Sequence, residues 1–265
     1  MTLPTDLMAI LEKAALDAGR AILEVYRAGP SVVLKKDATP VTEADERAEA
    51  IILAQLGEHF PDIPVVAEEA VAAGNVPDVR GRSFFLVDPL DGTREFIARR
   101  DEFTVNIALI ENGVPVAGIV YAPALGTAYC GANGRAEKFD VDENFNVLNR
   151  RPIGCRARNA SLKAVISRSH GDPQTEEFLR TEGICDHTTI GSSLKFCLLA
   201  EGLADVYPRF GRTMEWDTAA GDAVLRAAGG RVTCPDGSPF RYGKTDQSTD
   251  VDFANSAFIG RGHAS

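Results

Sequence analysis

The segment at residues 88–93, with the sequence DPLDGT, carries the residue types and spacing best suited to chemistry in this chain. It directly follows the apolar run FFLV at residues 84–87, which predicts a buried strand. Pro89 fixes one backbone torsion, and Gly92 can adopt the positive φ that most residues avoid. We therefore expect the strand to end at this segment and the chain to turn tightly there.

Two carboxylates and a hydroxyl would meet in such a turn. Asp88, Asp91 and the Leu90 carbonyl can face one point. Thr93 adds a hydroxyl where the loop ends. Oxygen ligands on a stiff loop suit a hard cation, with Mg²⁺ as the first candidate. The alternative is an acidic turn that only closes a strand.

Three acidic positions elsewhere are candidates for the same site, and each also has a simpler structural explanation. Glu68, followed by Glu69, comes after a second short apolar run, where paired glutamates are commonly solvated. Asp217 lies where a helix is predicted to begin, so it could serve as the helix N-cap. Asp45 lies in a sequence typical of a capping box. The local sequence alone leaves both readings open for all three.

The charge balance limits the partners of this chain. Its 265 residues are 45% hydrophobic and 25% charged, which is ordinary for a globular protein, and its formal net charge is −10. Such a chain lacks the basic excess needed for non-specific binding to nucleic acid or to an anionic membrane. An anionic substrate remains compatible when bound cations reverse the local field.

The five cysteines favour a cytoplasmic location. Their number is odd, their spacings are wide, and no C-x-x-C motif occurs. This pattern is typical of reduced thiols rather than of a disulfide framework or a zinc site. Residues 1–20 include several charged positions, so we expect no signal peptide. No uncharged apolar run approaches the length of a membrane span, although peripheral membrane association stays compatible with the sequence.

Hydrophobic periodicity divides the chain into two parts. In the first, residues 7–26 and 43–56 repeat at helical spacing, and Asn112-Gly113 separates two extended runs as in a hairpin. The pattern predicts helices packed on an antiparallel sheet over residues 1–152. After a polar stretch, residues 153–265 alternate predicted strands and helices, which is typical of an α/β layer.

Four segments together provide a family resemblance. They are TPVTEAD at residues 39–45, the glutamate pair at 68–69, DPLDGT at 88–93 and WDTAAGD at 216–222. In order and spacing they resemble the inositol monophosphatase-like, Mg²⁺-dependent, lithium-sensitive phosphatases, and the resemblance covers essentially the whole chain. It implies a fold of the α+β or α/β class, a five-layer αβαβα sandwich with the active cleft between its halves.

Further segments are similar to one branch of that family, the 3'(2'),5'-bisphosphate nucleotidases of the CysQ type. They are TREFI at residues 93–97, EFTVNI at 102–107, SRSH at 167–170, GSSLKFC at 191–197 and ADVYPR at 204–209. The resemblance implies hydrolysis of adenosine 3',5'-bisphosphate, a phosphorylated nucleotide, to AMP and phosphate. A substrate with two phosphates needs additional cationic contacts, for which Lys195 and Arg209 are the candidates.

The resemblance also implies a role for each site residue. Glu68, Asp88 and the Leu90 carbonyl would hold one Mg²⁺. Asp88, Asp91 and Asp217 would hold a second. Asp45 and Thr93 would orient the attacking water and accept its proton. The implied substrate contacts are Gly92, Thr93, Ser192, Lys195, Arg209 and Asp217.

Two other functions are compatible with these residues. Glu215, just before Trp216, resembles an acid that holds a hydroxylated substrate in the inositol phosphatases, so an inositol or other sugar monophosphatase is the leading alternative. A metal-dependent nucleotide sensor without turnover is another. The sensor would not need the water-activating pair Asp45 and Thr93, which argues against it. A homodimer is among the assemblies that the sequence allows.

Overall fold

The computed structural model describes residues 6–29, 32–34, 40–157, 161–168 and 172–262. Residues 35–39, in the predicted strand and loop before the second helix, and residues 169–170, in the SRSH segment, lie outside this part. The first half contains the following elements: α1 (Leu7–Ala28), β1 (Val32–Leu34), β2 (Pro40–Thr42), α2 (Glu43–His59), β3 (Val65–Ala67), α3 (Glu68–Ala72), β4 (Phe84–Asp91), α4 (Thr93–Ile97), β5 (Thr104–Glu111), β6 (Val114–Ala122), β7 (Thr127–Ala132), β8 (Arg135–Val141) and β9 (Val147–Ile153).

Seven of these strands form one sheet, in the order β3-β4-β5-β6-β7-β8-β9. From β4 to β9 each strand pairs antiparallel with the next, whereas β3 pairs parallel with β4. The predicted antiparallel sheet is present, but β9 was not predicted: it runs to Ile153, through the polar stretch where the first part was expected to end. The hairpin turn between β5 and β6 is confirmed, because Asn112 and Gly113 have φ values of 52° and 72°.

The second half contributes a smaller sheet. Its elements are β10 (Lys163–Ser167), α5 (Pro173–Thr181), β11 (Asp186–Ile190), α6 (Leu194–Ala200), β12 (Val206–Arg209), β13 (Thr213–Met214), α7 (Ala219–Ala227), β14 (Arg231–Thr233), β15 (Ala254–Asn255) and β16 (Phe258–Arg261). Five strands pair in the order β11-β10-β12-β16-β14. The predicted alternation of strands and helices is present, and the sheet is mixed: β10 pairs parallel with β11 and β12, while β16 pairs antiparallel with β12 and β14.

Alternate side chains of each sheet enter different cores, which stacks the molecule in five layers. In β4, Phe85 and Val87 pack with α1 and α2, whereas Phe84 and Leu86 pack with α6 and α7. The other face of α6 and α7 packs on the smaller sheet, and α5 covers the far side of that sheet. The predicted αβαβα sandwich is confirmed.

Helix α7 packs unusually close to the large sheet, and this closeness requires a glycine. A Cβ atom added to Gly131 in β7 would lie 2.7 Å from the Val224 Cα atom of α7. Any larger residue would push the helix away from the sheet. The glycine thus lets α7, which follows Asp217, pack directly on the sheet that contains β4.

Two short helices near the glutamates and DPLDGT were not predicted. The pair at residues 68–69 begins α3 rather than a solvated loop, and Thr93 begins α4. No helix in the described ranges is long and apolar enough to cross a membrane.

Candidate active site

A cavity of about 290 Å³ lies where the two halves meet. The end of β4, the starts of α3 and α4, the segment before α6 and the end of β12 all contribute to its walls. It is lined by every residue of the predicted site except Asp45: Glu68, Asp88, Leu90, Asp91, Gly92, Thr93, Ser192, Lys195, Arg209 and Asp217.

The DPLDGT segment contains a bulge where a tight turn was predicted. Strand β4 continues to Asp91, and the interval from Asp88 to Asp91 faces the shorter interval from Asn106 to Thr104 on β5. One extra residue on β4 is the signature of a β-bulge, which re-aims side chains at the end of a strand. The turn follows at Gly92, whose φ of 93° is the positive value expected from its sequence. The strand thus runs further into the segment than expected, and the predicted turn lies at the Gly92 end of it.

Glu68 is held in place by a carboxylate on another helix. Glu49 of α2 is buried, and its Oε2 and Oε1 accept hydrogen bonds from the backbone amides of Glu69 and Ala70, both at 2.8 Å. An anion at a helix start satisfies amides that have no partner within the helix. Glu49 thus fixes the first turn of α3, from which Glu68 enters the cavity.

Asp217 does not cap the helix that follows it. Thr218 occupies the N-cap position of α7, and the Asp217 Oδ2 atom accepts a hydrogen bond of 2.8 Å from the Met214 amide. The backbone carbonyl of Asp217 accepts a hydrogen bond of 2.6 Å from the Ser193 hydroxyl. The N-cap interpretation was wrong, and the carboxylate of Asp217 lines the cavity instead.

Four of the carboxylates that line the cavity repel one another. Burial raises the pKa of Asp88 well above its usual value, and the nearby charges of Glu68, Asp91 and Asp217 raise it further. Burial likewise raises the pKa of Asp217, with Asp91 as the largest contributing neighbour. The effect is the one expected when several acids share a site with few cations.

This donor set fits a hard divalent cation. Carboxylate and carbonyl oxygens are the ligands that Mg²⁺ prefers, and a bound cation would relieve the repulsion. Within the described ranges, no three acidic, histidine or cysteine side chains are drawn together at coordination distance. The acids line one cavity while remaining apart, so the fit lies in the chemistry of the donors and their shared cavity.

Asp45 uses its two oxygens differently. Its Oδ2 accepts hydrogen bonds of 2.8 Å from the amide and the hydroxyl of Thr42, which completes the predicted capping box of α2. Its Oδ1 lies 3.3 Å from the Thr93 hydroxyl, which is also 3.2 Å from the Leu90 carbonyl. Burial raises the pKa of Asp45. The residue is therefore a helix cap through one oxygen and contacts the cavity wall through the other.

Two buried cations line the cavity as well. Lys195 of α6 is 6% exposed, and its Nζ donates a hydrogen bond of 2.5 Å to the Ser192 carbonyl. Burial lowers the pKa of Lys195 to about 8, while Asp91 acts in the opposite direction. Arg209 ends β12, and its Nε has no hydrogen-bond partner among the described residues. The positive charge of Arg209 lowers the pKa of Lys195 further, so an anionic ligand in the cavity would stabilise both buried cations.

Several residues near the cavity were not predicted from the sequence. Asn106 and Ser193 are buried hydrogen-bonding neighbours of the acids. A polar residue within the apolar run of β5 is a signal that could have identified Asn106. Ser193 gives no such signal, because serine before a helix predicts an N-cap.

Glu215 has a structural role that the sequence does not reveal. Its side chain is fully buried, and its two carboxylate oxygens accept hydrogen bonds from the amides of Gly243 and Lys244 at 2.7 and 2.9 Å. The Lys244 ammonium lies 2.7 Å from the same carboxylate. Glu215 is not among the residues that line the cavity, and its carboxylate is held by the loop at residues 243–244.

Comparison with known protein sequences gives matches along most of the chain. The sequence profile of the inositol monophosphatase family matches residues 4–257. The chain is 47% identical over 232 residues to the 3'(2'),5'-bisphosphate nucleotidase CysQ of Escherichia coli strain K12, covering 86% of this chain and 90% of that protein. It is 49% identical over 222 residues to the CysQ of Salmonella typhimurium strain LT2, covering 82% and 86% respectively.

A solved structure shares the fold over its full length. CysQ from Bacteroides thetaiotaomicron, described as a bacterial member of the inositol monophosphatase family, has a TM-score of 0.80 and 36% identity, and the match covers 100% of both chains. The family predicted from the sequence is thereby confirmed. The chain belongs to the inositol monophosphatase family.

Proposed function

We propose that this protein is a Mg²⁺-dependent phosphomonoesterase that hydrolyses adenosine 3',5'-bisphosphate to AMP and phosphate. The observation that carries the proposal is one cavity whose lining includes both the four mutually repelling carboxylates and two buried cations. The carboxylates suit the metal ions that bind the reacting phosphate, and Lys195 with Arg209 suits a second phosphate. The printed names of the E. coli and Salmonella relatives support the same substrate class.

The acids divide into two candidate ligand sets. Glu68, Asp88 and the Leu90 carbonyl would hold one Mg²⁺, and Asp88, Asp91 and Asp217 a second. Bound Mg²⁺ supplies positive charge that acidifies water and offsets the charge of the phosphate. The central position of Asp88 in this proposal agrees with its burial and with the raised pKa caused by its acidic neighbours.

Asp45 and Thr93 would handle the proton of the attacking water. The water oxygen attacks phosphorus, the bond between phosphorus and the 3' oxygen breaks, and the departing oxygen takes a proton. The Thr93 hydroxyl, 3.3 Å from Asp45 Oδ1, orients the water, and Asp45 accepts the proton. Burial raises the pKa of Asp45, which makes it a better base than an exposed aspartate.

Lys195 and Arg209 would bind the phosphate that does not react. Charge-assisted hydrogen bonds to phosphate are stronger than neutral ones, and Arg209 has an Nε donor without a partner among the described residues. The Ser192 hydroxyl, buried and likewise without a partner in that part of the chain, is a further donor. Gly92 lines the cavity, and its positive φ and the 3.1 Å from an added Cβ atom to the Glu102 carbonyl oxygen both disfavour a larger residue there.

A substrate panel tests this proposal. Phosphate release is measured with Mg²⁺ from adenosine 3',5'-bisphosphate, from its sulfated form, from inositol 1-phosphate and from fructose 1,6-bisphosphate. We expect the highest kcat/KM on adenosine 3',5'-bisphosphate. Preference for inositol 1-phosphate would overturn the nucleotidase assignment, and tight nucleotide binding without phosphate release would favour a sensor.

A further inference from the structure

A chain of buried hydrogen bonds joins the two halves next to Asp91 and Asp217. The Asn106 side chain of β5 donates to the Ser193 hydroxyl at 3.0 Å, and its Nδ2 atom also lies 3.4 Å from Asp91 Oδ2. The Ser193 hydroxyl in turn donates to the Asp217 carbonyl at 2.6 Å. Asp91 in the first half is thus linked to Asp217 in the second through two side chains.

Ser193 does not make the hydrogen bond that its position favours. It occupies the N-cap position of α6, where a serine hydroxyl usually accepts from an amide of the first turn, yet no such side-chain bond is present. Its hydroxyl accepts from Asn106 and donates to Asp217 instead. The Ser193 hydroxyl therefore joins the two halves and does not cap α6.

Burial of the Asn106 side chain lowers the free energy of unfolding. Its side chain is 1% exposed, and its Oδ1 has no hydrogen-bond partner among the described residues. A buried carbonyl without a partner is unfavourable, and an apolar residue in this strand would avoid it. Asn106 lies opposite Asp88 in the sheet register. Its side-chain amide can therefore direct one hydrogen at Asp91 and the other at Ser193.

We propose that Asn106 and Ser193 are positioning residues that hold Asp91 and Asp217 at a fixed separation across the two halves, and so set the affinity for the divalent cation that these acids share. The proposal rests on the proposed function, since it assumes that the two acids bind a common cation. Neither residue touches the reacting atoms. Both act by positioning Asp91 and Asp217, which would bind the cation.

Direct cation binding tests the proposal without an activity assay. Mg²⁺ binding to the full chain is measured by titration calorimetry for the wild type, Ser193→Ala, Asn106→Ala and the double variant. Residues that hold metal ligands from behind commonly contribute ten- to a hundredfold in metal affinity, so we expect a loss of about that size. Because both residues hydrogen-bond Asp91 and also contact each other, their effects are coupled, and the double variant should lose less than the sum of the two single losses.

A matched control separates this role from general stability. The Tyr129 hydroxyl on β7 donates a hydrogen bond of 2.6 Å to Glu201 just after α6, so it also joins the halves, but neither residue lines the cavity. Tyr129→Phe should lower the free energy of unfolding in urea and leave Mg²⁺ affinity unchanged.

The outcomes distinguish the two proposals. Wild-type Mg²⁺ affinity in both single variants, with urea stability lowered as in Tyr129→Phe, would overturn the positioning role and leave the proposed function intact. If Asn106→Ala fails to fold, Ser193→Ala, which removes one hydroxyl, decides alone. Failure of the wild type to bind Mg²⁺ would overturn the proposed function together with this inference.

Discussion

Buried carboxylates occur in two regions of this molecule, with opposite surroundings. In the interior of the second half, Glu215 accepts from two backbone amides and lies beside Lys244, and Asp222 lies 2.7 Å from the Arg226 guanidinium. In the cavity, the nearest charges around Asp88 include three other carboxylates, which raise its pKa.

The partners of each acid distinguish the two groups: Glu215 and Asp222 stabilise the fold, whereas the cavity acids would be stabilised by a bound cation. A buried charge is tolerated when its partners are part of the protein, as for Glu215. Asp88 and Asp217 have few such partners and repel their neighbours, so the fold holds them in place at a cost. We therefore expect substitutions in the two regions to have opposite effects.

The largest expected effect follows from removing the central acid. Asp88→Asn should abolish phosphate release, because Asp88 belongs to both candidate ligand sets. In chelator the same substitution should raise the free energy of unfolding, since it neutralises a charge buried among like charges. Activity is measured by phosphate release and stability by urea unfolding. Near-normal activity, or a large loss of stability in chelator, would contradict the comparison.

The next effect concerns Asp45, whose two oxygens contribute separately. Asp45→Asn retains one oxygen for the Thr42 amide and loses the base, so kcat should fall by at least about 10²-fold with Mg²⁺ binding retained. As a control, Thr42→Ala weakens the helix cap and should cost about 1 kcal/mol of stability with little change in kcat. A normal kcat in Asp45→Asn with a lowered melting temperature would show that the residue is only a cap.

Glu215 provides the opposite case to Asp88. Glu215→Gln leaves Lys244 and an amide of the loop at 243–244 without their anionic partner. The free energy of unfolding should fall by about 3 kcal/mol, in chelator and in Mg²⁺ alike. Circular dichroism during urea unfolding measures it. A specific rise in KM for inositol 1-phosphate without loss of stability would return Glu215 to a substrate-binding role.

The smallest mutational effect is expected at the basic residues. Lys195→Ala and Arg209→Ala should each lower kcat/KM for adenosine 3',5'-bisphosphate by roughly ten- to a hundredfold, because each loses a charged hydrogen bond to the second phosphate. Any activity on inositol 1-phosphate should change much less. Equal losses on both substrates would mean that these residues shape the cavity rather than recognise the nucleotide.

The long elements and the family were predictable because their signals are local. The helices α1 and α2 and the strands β4 to β8 follow from periodicity and an Asn-Gly turn, and the five layers follow from the family resemblance carried by motifs in fixed order. Strand β9 was not predicted, because its residues lie in a polar stretch. The candidate acids were found for the same reason, as DPLDGT and WDTAAGD are contiguous in the sequence.

What the sequence did not predict depends on contacts between distant segments. Helix α3 is only five residues long, and its start is satisfied by Glu49 from another helix. Glu215 is fixed by a loop 28 residues further along the chain. Ser193 precedes α6, yet its hydroxyl contacts Asp217 and Asn106. Periodicity and capping preferences carry no information about such partners.

The central claim is that the mutually repelling acids form a divalent-cation site, and the pH dependence of stability tests it most directly. In the metal-free protein, burial and like charges raise the pKa values of Asp88 and Asp217. Their contribution to the free energy of unfolding is therefore fully present below the unfolded carboxyl pKa of about 3.9. It is lost as the pH rises through the raised, folded-state pKa values.

The measurement is the free energy of unfolding in urea, from about pH 4 to pH 8, with chelator and with saturating Mg²⁺. We predict that Mg²⁺ stabilises the wild type and that the gain grows as the pH rises, because the cation binds the ionised carboxylates. We predict little gain for Asp88→Asn at any pH. Equal stability of the wild type with chelator and with Mg²⁺ across the whole range would contradict the account.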